Sequence, residues 1–587
     1  MPVEESGESE KSSESPSGKP KDQVWTIRLA GGEAAQRTEH PNGASSPCWS
    51  PDGESIAFTA ADAIGKTDDF TAPSSVGPVA DERVINDISY RFDGRGFLEK
   101  YRHIWTVSLA DGVSKQLTFG DAFDDEPAWS PDGTRIAFVS NRAKDRRRLW
   151  NRGAVYTVAV TDGKIATVSP EDAQFSTPAW SPDGGKLAFL GHLGTGSATN
   201  DSVWTVSADG ADLTNLTGAS DISFGDSGMS DVHAGSYGGP QWLDDGSMLV
   251  LASQRGETQV YRVTTDQTVE QVTAGEHRIA GFAPLGGNLA VIRGTVARPF
   301  ALEVWSGDGP SGAISHANDA FLAEVDLIDA THVPVKSADG MDIQTWLIPP
   351  TGFDESSGAK HPLILQIHGG PHSMYGYAMF HEMQLMAAKG YAVLFSNPRG
   401  SAGYGQDFTG CTKGIWGEAD MPDILAAIDA ACQLPWVDTD RLGITGGSYG
   451  GYLTIWTVGH DTRFKAAVTQ RCVSNFYSFF GTSDIGTTFG VTEFDGLPWS
   501  DADKLLRHSP ISYVDRIVTP LLILHSEQDL RCPIEQAEQM FASLKYMDKY
   551  VALVRIPDEG HDLSRSGTPS RRLARLHHLV GWFDQKL

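Results

Sequence analysis

The pentapeptide Gly446-Gly447-Ser448-Tyr449-Gly450 is the strongest candidate for covalent chemistry in this 587-residue sequence. It follows the apolar segment RLGIT and precedes the helical segment GYLTIW, which is the strand-turn-helix setting of a nucleophile elbow. The glycines two residues before and two after the serine are needed because a side chain at either position would clash on so cramped a turn. The motif therefore predicts Ser448 as the nucleophile of a serine hydrolase.

A serine nucleophile needs a base that takes its proton and a carboxylate that orients the base. Asp529 ends the segment LLILHSEQD, and His561 ends the segment VALVRIPDEGH further along the chain. The resulting order of Ser, Asp and His is that of the α/β hydrolases. We therefore predict a catalytic triad of Ser448, Asp529 and His561.

Other residues of suitable type lie nearby but are less well placed. His577 and His578 fall inside the last helical segment and are interpreted as surface residues. The remaining acids around the two segments are interpreted as solvated, namely Glu527, Asp558, Glu559 and Asp562.

An oxyanion hole is predicted at the turn His368-Gly369-Gly370-Pro371, which follows the apolar segment LILQI. The backbone N–H groups of Gly369 and Gly370 are unhindered by side chains, and the N–H of Tyr449 directly follows the nucleophile. Together these groups can bind the oxygen of a tetrahedral intermediate. His368 itself is interpreted as structural.

The elements that must position these residues begin at about residue 330, where apolar strands alternate with helical segments. This alternation predicts an α/β-hydrolase domain with a doubly wound, mostly parallel sheet. Each motif then follows the carboxyl end of a strand, where open α/β sheets place their ligands.

The N-terminal half carries internal repeats between about residues 23 and 316. One half of the repeat is a Trp-Ser-Pro-Asp-Gly turn followed by an apolar strand, as in CWSPDGESIAFTA, and the other alternates in period two, as in IWTVSLADG. Short strands joined by Asp-Gly turns predict an N-terminal β-propeller whose aromatic residues lie in the core. The domains are therefore predicted as a disordered tail (1–22), a propeller (23–320) and an α/β-hydrolase peptidase domain (321–587).

Two features of the propeller stand out. A Gly/Pro/Asp-rich insertion at about residues 61–102 is a candidate cover for an entrance. A half repeat at Val24 has no Trp-Ser-Pro-Asp-Gly partner, so either it closes the ring with the last blade or the propeller is a shortened version of a larger one.

Composition excludes several classes of function. A formal net charge of −28 argues against binding to nucleic acid. Five cysteines without a Cys-x-x-Cys pair suggest neither a disulfide framework nor a zinc site, and they fit free thiols in a reducing compartment. No apolar run of membrane-spanning length and no leader are apparent, so we expect a cytoplasmic protein. The sequence implies no metal or cofactor. It leaves open whether the protein forms a homo-oligomer.

The motifs HGGP, NPRGSAGYG, GGSYGGY, QDLRCP and EGH resemble those of prolyl oligopeptidase family peptidases, and the resemblance covers nearly the whole chain. The segment VTQRCVSNFYSFFGTSDIG and the arginine after QDL are most similar to the acylaminoacyl-peptidase and dipeptidyl-peptidase-like branch. The resemblance implies hydrolysis of short peptides under a propeller that excludes folded proteins.

The resemblance also implies a substrate pocket. Arg531 would bind a substrate carbonyl, and the S1 pocket should be apolar. The other candidate substrate-binding residues are Tyr404, Phe479, Phe480 and Phe489. Two departures concern the short start of the propeller and the presence of Cys472 and Cys532 beside the site, which hints at thiol sensitivity.

Three functions remain at this stage. The first is a serine peptidase that removes an acylated residue or a dipeptide from short peptides, the second is a carboxylesterase with the same triad, and the third is a propeller scaffold with a dead hydrolase domain. An acidic group that meets the substrate amine would favour dipeptides. The segment DAFDDEPAW near residue 121 is a candidate for this role, although it is interpreted as solvated surface.

Overall fold

The computed structural model describes residues 21–63, 83, 85–146, 148–232, 234–235, 238–307 and 309–587. Residues 1–20 of the predicted tail and residues 64–82 of the predicted insertion lie outside the described residues. The described chain forms a β-propeller followed by an α/β-hydrolase domain, as the sequence predicts.

The propeller begins with a two-stranded unit and continues with four-stranded antiparallel blades. The unit consists of β1 (Trp25–Thr26) and β2 (Ala35–Gln36). The first blade contains β3 (Ser45–Trp49), β4 (Ser55–Ala63), the small hairpin of β5 (Arg91–Phe92) and β6 (Gly96–Phe97), and then β7 (Lys100–Ser108) and β8 (Ser114–Gln116). The hairpin belongs to the predicted insertion and leaves the blade toward the hydrolase domain.

Four further blades follow in sequence. The second contains β9 (Asp124–Trp129), β10 (Arg135–Ser140), β11 (Ala154–Ala159) and β12 (Ile165–Thr167), and the third β13 (Ala173–Trp180), β14 (Lys186–Leu193), β15 (Ser202–Ser207) and β16 (Thr214–Asn215). The fourth contains a split inner strand, β17 (Ser223–Phe224) and β18 (Gln241–Trp242), with β19 (Met248–Gln254), β20 (Glu257–Val263) and β21 (Val269–Gln271). The fifth contains β22 (Arg278–Leu285), β23 (Asn288–Thr295), β24 (Arg298–Ser306) and β25 (Gly309–Ala313).

The tryptophans of the repeat connect each blade to the one before it. Trp129 Nε1 donates to the Cys48 carbonyl at 3.1 Å, and Trp180 Nε1 donates to the Ala128 carbonyl at 3.0 Å. Trp242 Nε1 repeats the contact with the Ala179 carbonyl at 3.0 Å. The acceptor is in every case the residue before the previous tryptophan, so the sequence repeat is also a hydrogen-bond repeat.

The half repeat does not close the ring in the way considered above. In the described residues β1 and β2 pair only with one another, while Val24 packs into the apolar core of the first blade. Trp49, which has no preceding Trp-Ser-Pro-Asp-Gly strand to contact, is 54% exposed, and Trp25 is 55% exposed. The expectation that the aromatic residues of the repeats are buried is therefore wrong at these two positions.

The hydrolase domain is built on an eight-stranded sheet in the order β26-β27-β29-β28-β30-β31-β32-β33. The first two connections are antiparallel and the rest are parallel. The strands are β26 (Thr331–Val333), β27 (Thr345–Ile348), β28 (His361–Ile367), β29 (Ala392–Ser396), β30 (Val437–Gly447), β31 (Ala466–Gln470), β32 (Leu521–Ser526) and β33 (Val551–Ile556).

Helices cover both faces of this sheet. Leu363 and Leu365 belong to one apolar core and Ile364 to the other, because successive side chains of a strand point to opposite faces. The helices are α1 (Asp319–Glu324), α2 (His381–Ala388), α3 (Gln406–Gly410), α4 (Asp420–Ala431), α5 (Tyr449–Val458), α6 (Phe476–Thr482), α7 (Gly486–Thr492), α8 (Ala502–Arg507), α9 (Glu535–Tyr546), α10 (Leu563–Ser566) and α11 (Pro569–Lys586). The predicted domain boundary at residue 320 falls within α1. None of the helices described is both long and apolar enough to cross a membrane.

Candidate active site

Ser448 lies on the sharp turn between β30 and α5. Its backbone has φ 63° and ψ −122°, a conformation that side-chain-bearing residues rarely adopt. A Cβ on Gly446 would lie 2.5 Å from the Gly450 carbonyl oxygen, and one on Gly450 would lie 2.3 Å from the Ile367 carbonyl oxygen. The glycines of the motif are therefore needed because backbone atoms already occupy the space of a side chain.

The three predicted triad residues meet in hydrogen-bonding geometry. His561 Nε2 lies 3.1 Å from Ser448 Oγ, and His561 Nδ1 lies 2.8 Å from Asp529 Oδ2. The carboxylate also accepts a hydrogen bond from the Cys532 backbone N–H at 2.8 Å, which fixes its orientation. Because the carboxylate is the partner of Nδ1, that nitrogen carries the proton and Nε2 is free to accept one from the serine.

Burial and neighbouring charges shift the pKa values of His561 and Asp529. Burial lowers the pKa of His561 well below its usual value, and three guanidinium groups lower it further, those of Arg471, Arg531 and Arg565. Burial raises the pKa of Asp529 to about 6. At neutral pH the imidazole is therefore neutral and the carboxylate is charged, which is the state that general-base catalysis needs.

The predicted oxyanion groups border the same cavity as the serine. Gly369, Gly370 and Tyr449 line it together with Ser448 and His561. A Cβ on Gly369 would lie 3.5 Å from Ser448 Cβ, so the turn passes close to the nucleophile. His368 is buried and contacts the Gly369 carbonyl at 2.7 Å and Ser401 Oγ at 2.9 Å, which gives it a structural role in holding the turn.

This cavity has a volume of about 310 Å³ and one apolar wall. Of the residues predicted for the S1 pocket, Phe479 and Phe489 line it. Its other apolar lining residues are Met229, Trp416, Val473, Ile485 and Cys532.

Two predicted substrate-binding residues lie elsewhere. Phe480 packs edge-on against Trp499, with ring centroids 5.5 Å apart, on the outer side of α6. The Tyr404 hydroxyl donates to Gln344 Oε1 at 2.6 Å and accepts from Asn397 Nδ2 at 2.7 Å, so it braces the strand ends. Neither residue borders the cavity at Ser448, because Phe480 follows Phe479 on a helix and points to a different side.

A buried Glu–His pair behind the pocket was not predicted. Glu493 accepts hydrogen bonds from Trp416 Nε1 at 2.7 Å, from His372 Nε2 at 2.9 Å and from the propeller residue Ser197 at 2.6 Å. Although burial disfavours its charge, the interaction with His372 lowers the pKa of Glu493. His372 directly follows the HGGP motif, but nothing local in the sequence marks Glu493 as its partner.

Arg531 connects the cavity at Ser448 with a second cavity of about 450 Å³ under the propeller, because it lines both. Its guanidinium forms an ion pair with Asp484, with Nε 2.9 Å from Oδ1. The predicted contact of Arg531 with a substrate carbonyl stays a prediction.

The acidic segment DAFDDEPAW borders the second cavity, and its residues Asp121 and Glu126 are exposed to solvent, in line with the interpretation as solvated surface. Asp121, Asp125 and Glu126 all border it. Asp125 is paired with Arg102 at 2.5 Å, and Asp121 lies 3.6 Å from Arg146. Glu126 accepts the Thr177 backbone N–H at 2.6 Å, and no ion pair to it is found among the described residues. Glu126 is exposed to solvent in the open cavity, and partial desolvation by the surrounding protein raises its pKa.

The described residues contain no group of three or more His, Cys, Asp or Glu side chains that could hold a metal ion. All five cysteines are free thiols.

A serine held on a nucleophile elbow, a histidine and an aspartate at hydrogen-bonding distance, and a propeller over the site define a propeller-capped serine hydrolase. Residues 377–587 match the profile of the prolyl oligopeptidase family, and residues 98–224 match that of the TolB beta propeller domain. The uncharacterized peptidase YuxL of Bacillus subtilis (strain 168) is 38% identical over 96% of this chain and 86% of its own length.

Two further comparisons cover almost the whole chain. Dipeptidyl-peptidase 5 of Porphyromonas gingivalis is 27% identical over 92% of this chain and 79% of its own length. The solved structure of the Pyrococcus horikoshii acylaminoacyl peptidase matches with a TM-score of 0.81 and 25% identity, covering 96% of this chain and 84% of that one. The chain belongs to the prolyl oligopeptidase family, and it is a serine peptidase.

Proposed function

We propose that the protein cleaves short peptides near their N-terminus, with Ser448 as nucleophile, His561 as general base and Asp529 as the group that orients it. The observation that carries this proposal is the continuous hydrogen-bond chain of 3.1 Å and 2.8 Å through the three side chains. Its lengths lie in the range that proton transfer requires.

In the proposed reaction His561 Nε2 takes the Ser448 proton as Oγ attacks the substrate carbonyl. The N–H of Tyr449, with those of Gly369 and Gly370, stabilises the tetrahedral oxyanion. His561 then gives its proton to the leaving amine, which leaves an acyl-enzyme on Ser448. A water molecule, deprotonated by His561, hydrolyses the ester and restores the serine.

The apolar wall of the cavity supports a preference for an aromatic or large aliphatic residue at P1. Phe479, Phe489, Val473 and Ile485 present hydrocarbon there, and burying such a side chain contributes about 2 kcal/mol. In a related structure, with a TM-score of 0.81 and 26% identity, an acylaminoacyl peptidase is in complex with Z-Gly-Gly-Phe-chloromethyl ketone. That ligand carries phenylalanine, which agrees with the P1 preference that we propose for this chain.

The enzyme could release either an acylated residue or a dipeptide from the substrate. Glu126 favours the second candidate, the removal of dipeptides that carry a free amine. Its carboxylate borders the cavity that Arg531 shares with the site of Ser448, and it has no cation partner among the described residues. A substrate ammonium group would supply that partner. Release of an acylated residue instead needs no such charge.

A matched substrate panel tests the proposal. We would measure kcat/KM for N-acetyl-aminoacyl, free-amine dipeptidyl and internally blocked anilides with the same aromatic P1 residue, and for a p-nitrophenyl ester. Ser448→Ala should abolish turnover of all of them, by roughly 10⁶-fold in kcat. If only the ester is hydrolysed, the protein is a carboxylesterase and the peptide substrate is wrong.

Glu126→Gln separates the two candidates. If Glu126 binds the substrate amine, this variant lowers kcat/KM for dipeptidyl anilides by about 10-fold or more and leaves acetylated substrates unchanged. Asp121→Asn is the matched control, because it removes an acid from the same cavity that already faces Arg146. Equal losses in both variants would point to the general charge of the cavity rather than to Glu126.

The five free thiols support the predicted cytoplasmic location, which remains part of this proposal, because a reducing compartment keeps cysteines unpaired.

A further inference from the structure

The hairpin of β5 and β6 brings a propeller carboxylate, Asp93, to the catalytic loops. The Leu530 backbone N–H donates to Asp93 Oδ1 at 2.9 Å. The His561 backbone N–H donates to Asp93 Oδ2 at 3.0 Å and to Oδ1 at 3.2 Å. Leu530 directly follows Asp529, so one carboxylate from the propeller binds the backbone of both the loop that carries the base and the loop that carries its orienting acid.

Gly560, the glycine of the EGH motif, provides an independent observation. A Cβ on Gly560 would lie 3.1 Å and 3.2 Å from the two carboxylate oxygens of Asp93 and 3.5 Å from its Cγ. The backbone of Gly560 does not have the positive φ that would otherwise favour glycine. The missing side chain therefore makes room for the Asp93 carboxylate.

The same turn also reaches the loop that holds Arg531. The Asp93 backbone N–H donates to Asp484 Oδ2 at 2.9 Å, and Asp484 Oδ1 accepts from Arg531 Nε at 2.9 Å. The Asp484 backbone N–H in turn donates to the Leu530 carbonyl at 2.9 Å. Asp93 thus lies at the centre of a hydrogen-bond network that joins three loops of the active site.

We propose that Asp93 is a positioning residue for catalysis: it holds the His561 and Asp529 loops in register with Ser448 across the domain interface. The proposal rests on the proposed triad. It gives the propeller a direct part in the geometry of the catalytic step, in addition to covering the site.

The physical reason is that backbone hydrogen bonds to a carboxylate are stronger than those between neutral groups and fix loop positions. Neither His561 nor Leu530 lies in a regular element, since β33 ends at Ile556 and β32 ends at Ser526. A displacement of about 1 Å at a reacting group can lower the rate by about 100-fold. Without Asp93, two backbone donors of these loops lose their acceptor, and the 3.1 Å contact between His561 and Ser448 loses support.

The charge of Asp93 has a second, separable effect. Asp93 raises the pKa of His561 and so opposes the effect of burial and of the neighbouring arginines. The charged or titratable groups that face His561 are Asp93, Asp529, Asp562, His525, Arg471, Arg531 and Arg565. Removal of the Asp93 charge should therefore lower the pKa of His561 further and move the acid limb of kcat/KM to lower pH.

Two substitutions separate the hydrogen bonds from the charge. Asp93→Ala removes both. Asp93→Asn removes the charge and the Oδ2 acceptor of the 3.0 Å bond from His561, but it keeps the Oδ1 acceptor, to which both backbone N–H groups also donate. Arg91→Ala is the matched control: Arg91 lies on the same hairpin and donates across the interface to the Thr482 carbonyl at 2.6 Å, but it contacts neither catalytic loop.

The experiment compares these full-length variants with wild type on an N-acetylated aromatic anilide, which has no free amine. We expect Asp93→Ala to lower kcat by about 10-fold to 100-fold with little change in KM, and to slow labelling by a fluorophosphonate in parallel. Asp93→Asn should keep more of kcat than Asp93→Ala does, because one acceptor remains, and it should shift the acid limb to lower pH. Arg91→Ala should change neither quantity, and thermal unfolding of each variant reports on folding.

Gly560→Ala tests the same contact from the other side. It should lower kcat in wild type, because the pinned carboxylate cannot move aside, but should add little to Asp93→Ala, where the space is free. This non-additivity does not require that either variant keep full stability. A domain-docking effect alone would make Arg91→Ala as damaging as Asp93→Ala, and that result would overturn the proposal.

Two other results would also overturn it. Asp93→Ala with wild-type kcat and an unmoved acid limb would show that the loops are positioned without it. The free-amine dipeptidyl anilide of the substrate panel is measured alongside, and a rise in KM for Asp93→Ala on that substrate alone would mean that Asp93 contacts the substrate. Activity of wild type and its loss in Ser448→Ala test the triad itself, so a failure of the Asp93 proposal is distinguishable from a failure of the proposed function.

Discussion

The two sides of the active-site cavity are built in different ways. On the nucleophile side, Ser448 and its glycines belong to one strand-turn-helix unit of eleven-residue β30 and ten-residue α5. On the propeller-facing side, Ser197 contacts Glu493 and Asp93 contacts His561, across separations of 296 and 468 residues. The first side depends on local backbone geometry and the second on the docking of two domains.

This difference predicts which substrates and probes a substitution on each side should affect. A change on the nucleophile side should affect every substrate and every serine-directed probe alike. A change on the propeller-facing side should affect the pocket or the positioning of loops, and its size should depend on the substrate.

The largest effect is expected from Gly450→Ala, which disrupts the strand-turn-helix unit on the nucleophile side. Its Cβ would lie 2.3 Å from the Ile367 carbonyl oxygen and 2.7 Å from that of His368, so β28 or the elbow must move. We expect kcat/KM to fall by more than about 100-fold for all substrates, with an equal loss of fluorophosphonate labelling. Gly581→Ala in α11 is the control, because a Cβ there meets nothing within 4 Å, and alanine should stabilise the helix by about 1 kcal/mol. Full activity of Gly450→Ala would contradict the account of the elbow.

The same contrast explains how much the sequence could predict. The motif around Ser448, the chain order of Asp529 and His561 and the turn at Gly369 are local patterns with a physical cause, and each can be found without knowledge of tertiary contacts. The blade repeats are local as well, down to the tryptophan that donates to the previous blade.

Residues whose role depends on distant partners were missed or misplaced. Glu493 and Asp93 carry no motif, because their partners are on other elements and, in part, on the other domain. Phe480 lies outside the pocket although its neighbour Phe479 lines it, because adjacent residues of helix α6 point about 100° apart. Only the glycine of the EGH motif, whose backbone has no need of glycine, hinted at an approaching group.

The next largest effect is expected from Glu493→Gln, which weakens the hydrogen bonds on the propeller-facing side. The carboxylate accepts hydrogen bonds from Trp416, His372 and Ser197, and an amide offers a single acceptor oxygen in its place. We expect kcat/KM for aromatic P1 substrates to fall by about 10-fold, because Trp416 lines the pocket, whereas fluorophosphonate labelling stays close to wild type. Ser197→Ala should lower the free energy of unfolding by only about 1 kcal/mol, since it removes one donor. Equal losses of labelling and turnover in Glu493→Gln would contradict the distinction between the two sides of the cavity.

The pH dependence of turnover tests how the protein shifts the pKa values of His561 and Asp529. Turnover requires neutral His561 and charged Asp529, so activity is lost as pH falls and either group takes a proton. Because the pKa of His561 is lowered and that of Asp529 is raised to about 6, the pair should lose its active form near or below pH 6. The acid limb of kcat/KM, measured on an uncharged acetylated substrate, should therefore lie below the usual histidine value of about 6.5. A midpoint above that value would mean that the imidazole is not shielded as the structure indicates.

The smallest effect is expected from thiol reagents, although two cysteines lie at the site. Cys532 lines the cavity beside Ser448, but both it and Cys472 are buried. Burial raises the pKa of Cys472 to about 12 and that of Cys532 well above its usual value. Since the thiolate is the reactive form, neither should react at neutral pH in the folded enzyme. We therefore expect no thiol sensitivity at these two positions, although both cysteines lie beside the site.

A thiol titration with activity measured in parallel checks this expectation. In the native enzyme only the partly exposed Cys48, Cys411 and Cys432 should be modified, with activity retained, and all five thiols should react after unfolding. Cys532→Ala should stay active, because the hydrogen bond to Asp529 comes from the backbone N–H of residue 532, which alanine keeps. If modification of Cys532 instead tracks loss of activity, the cavity must open to solvent during turnover, and the propeller-facing side would then be the mobile side of the active site.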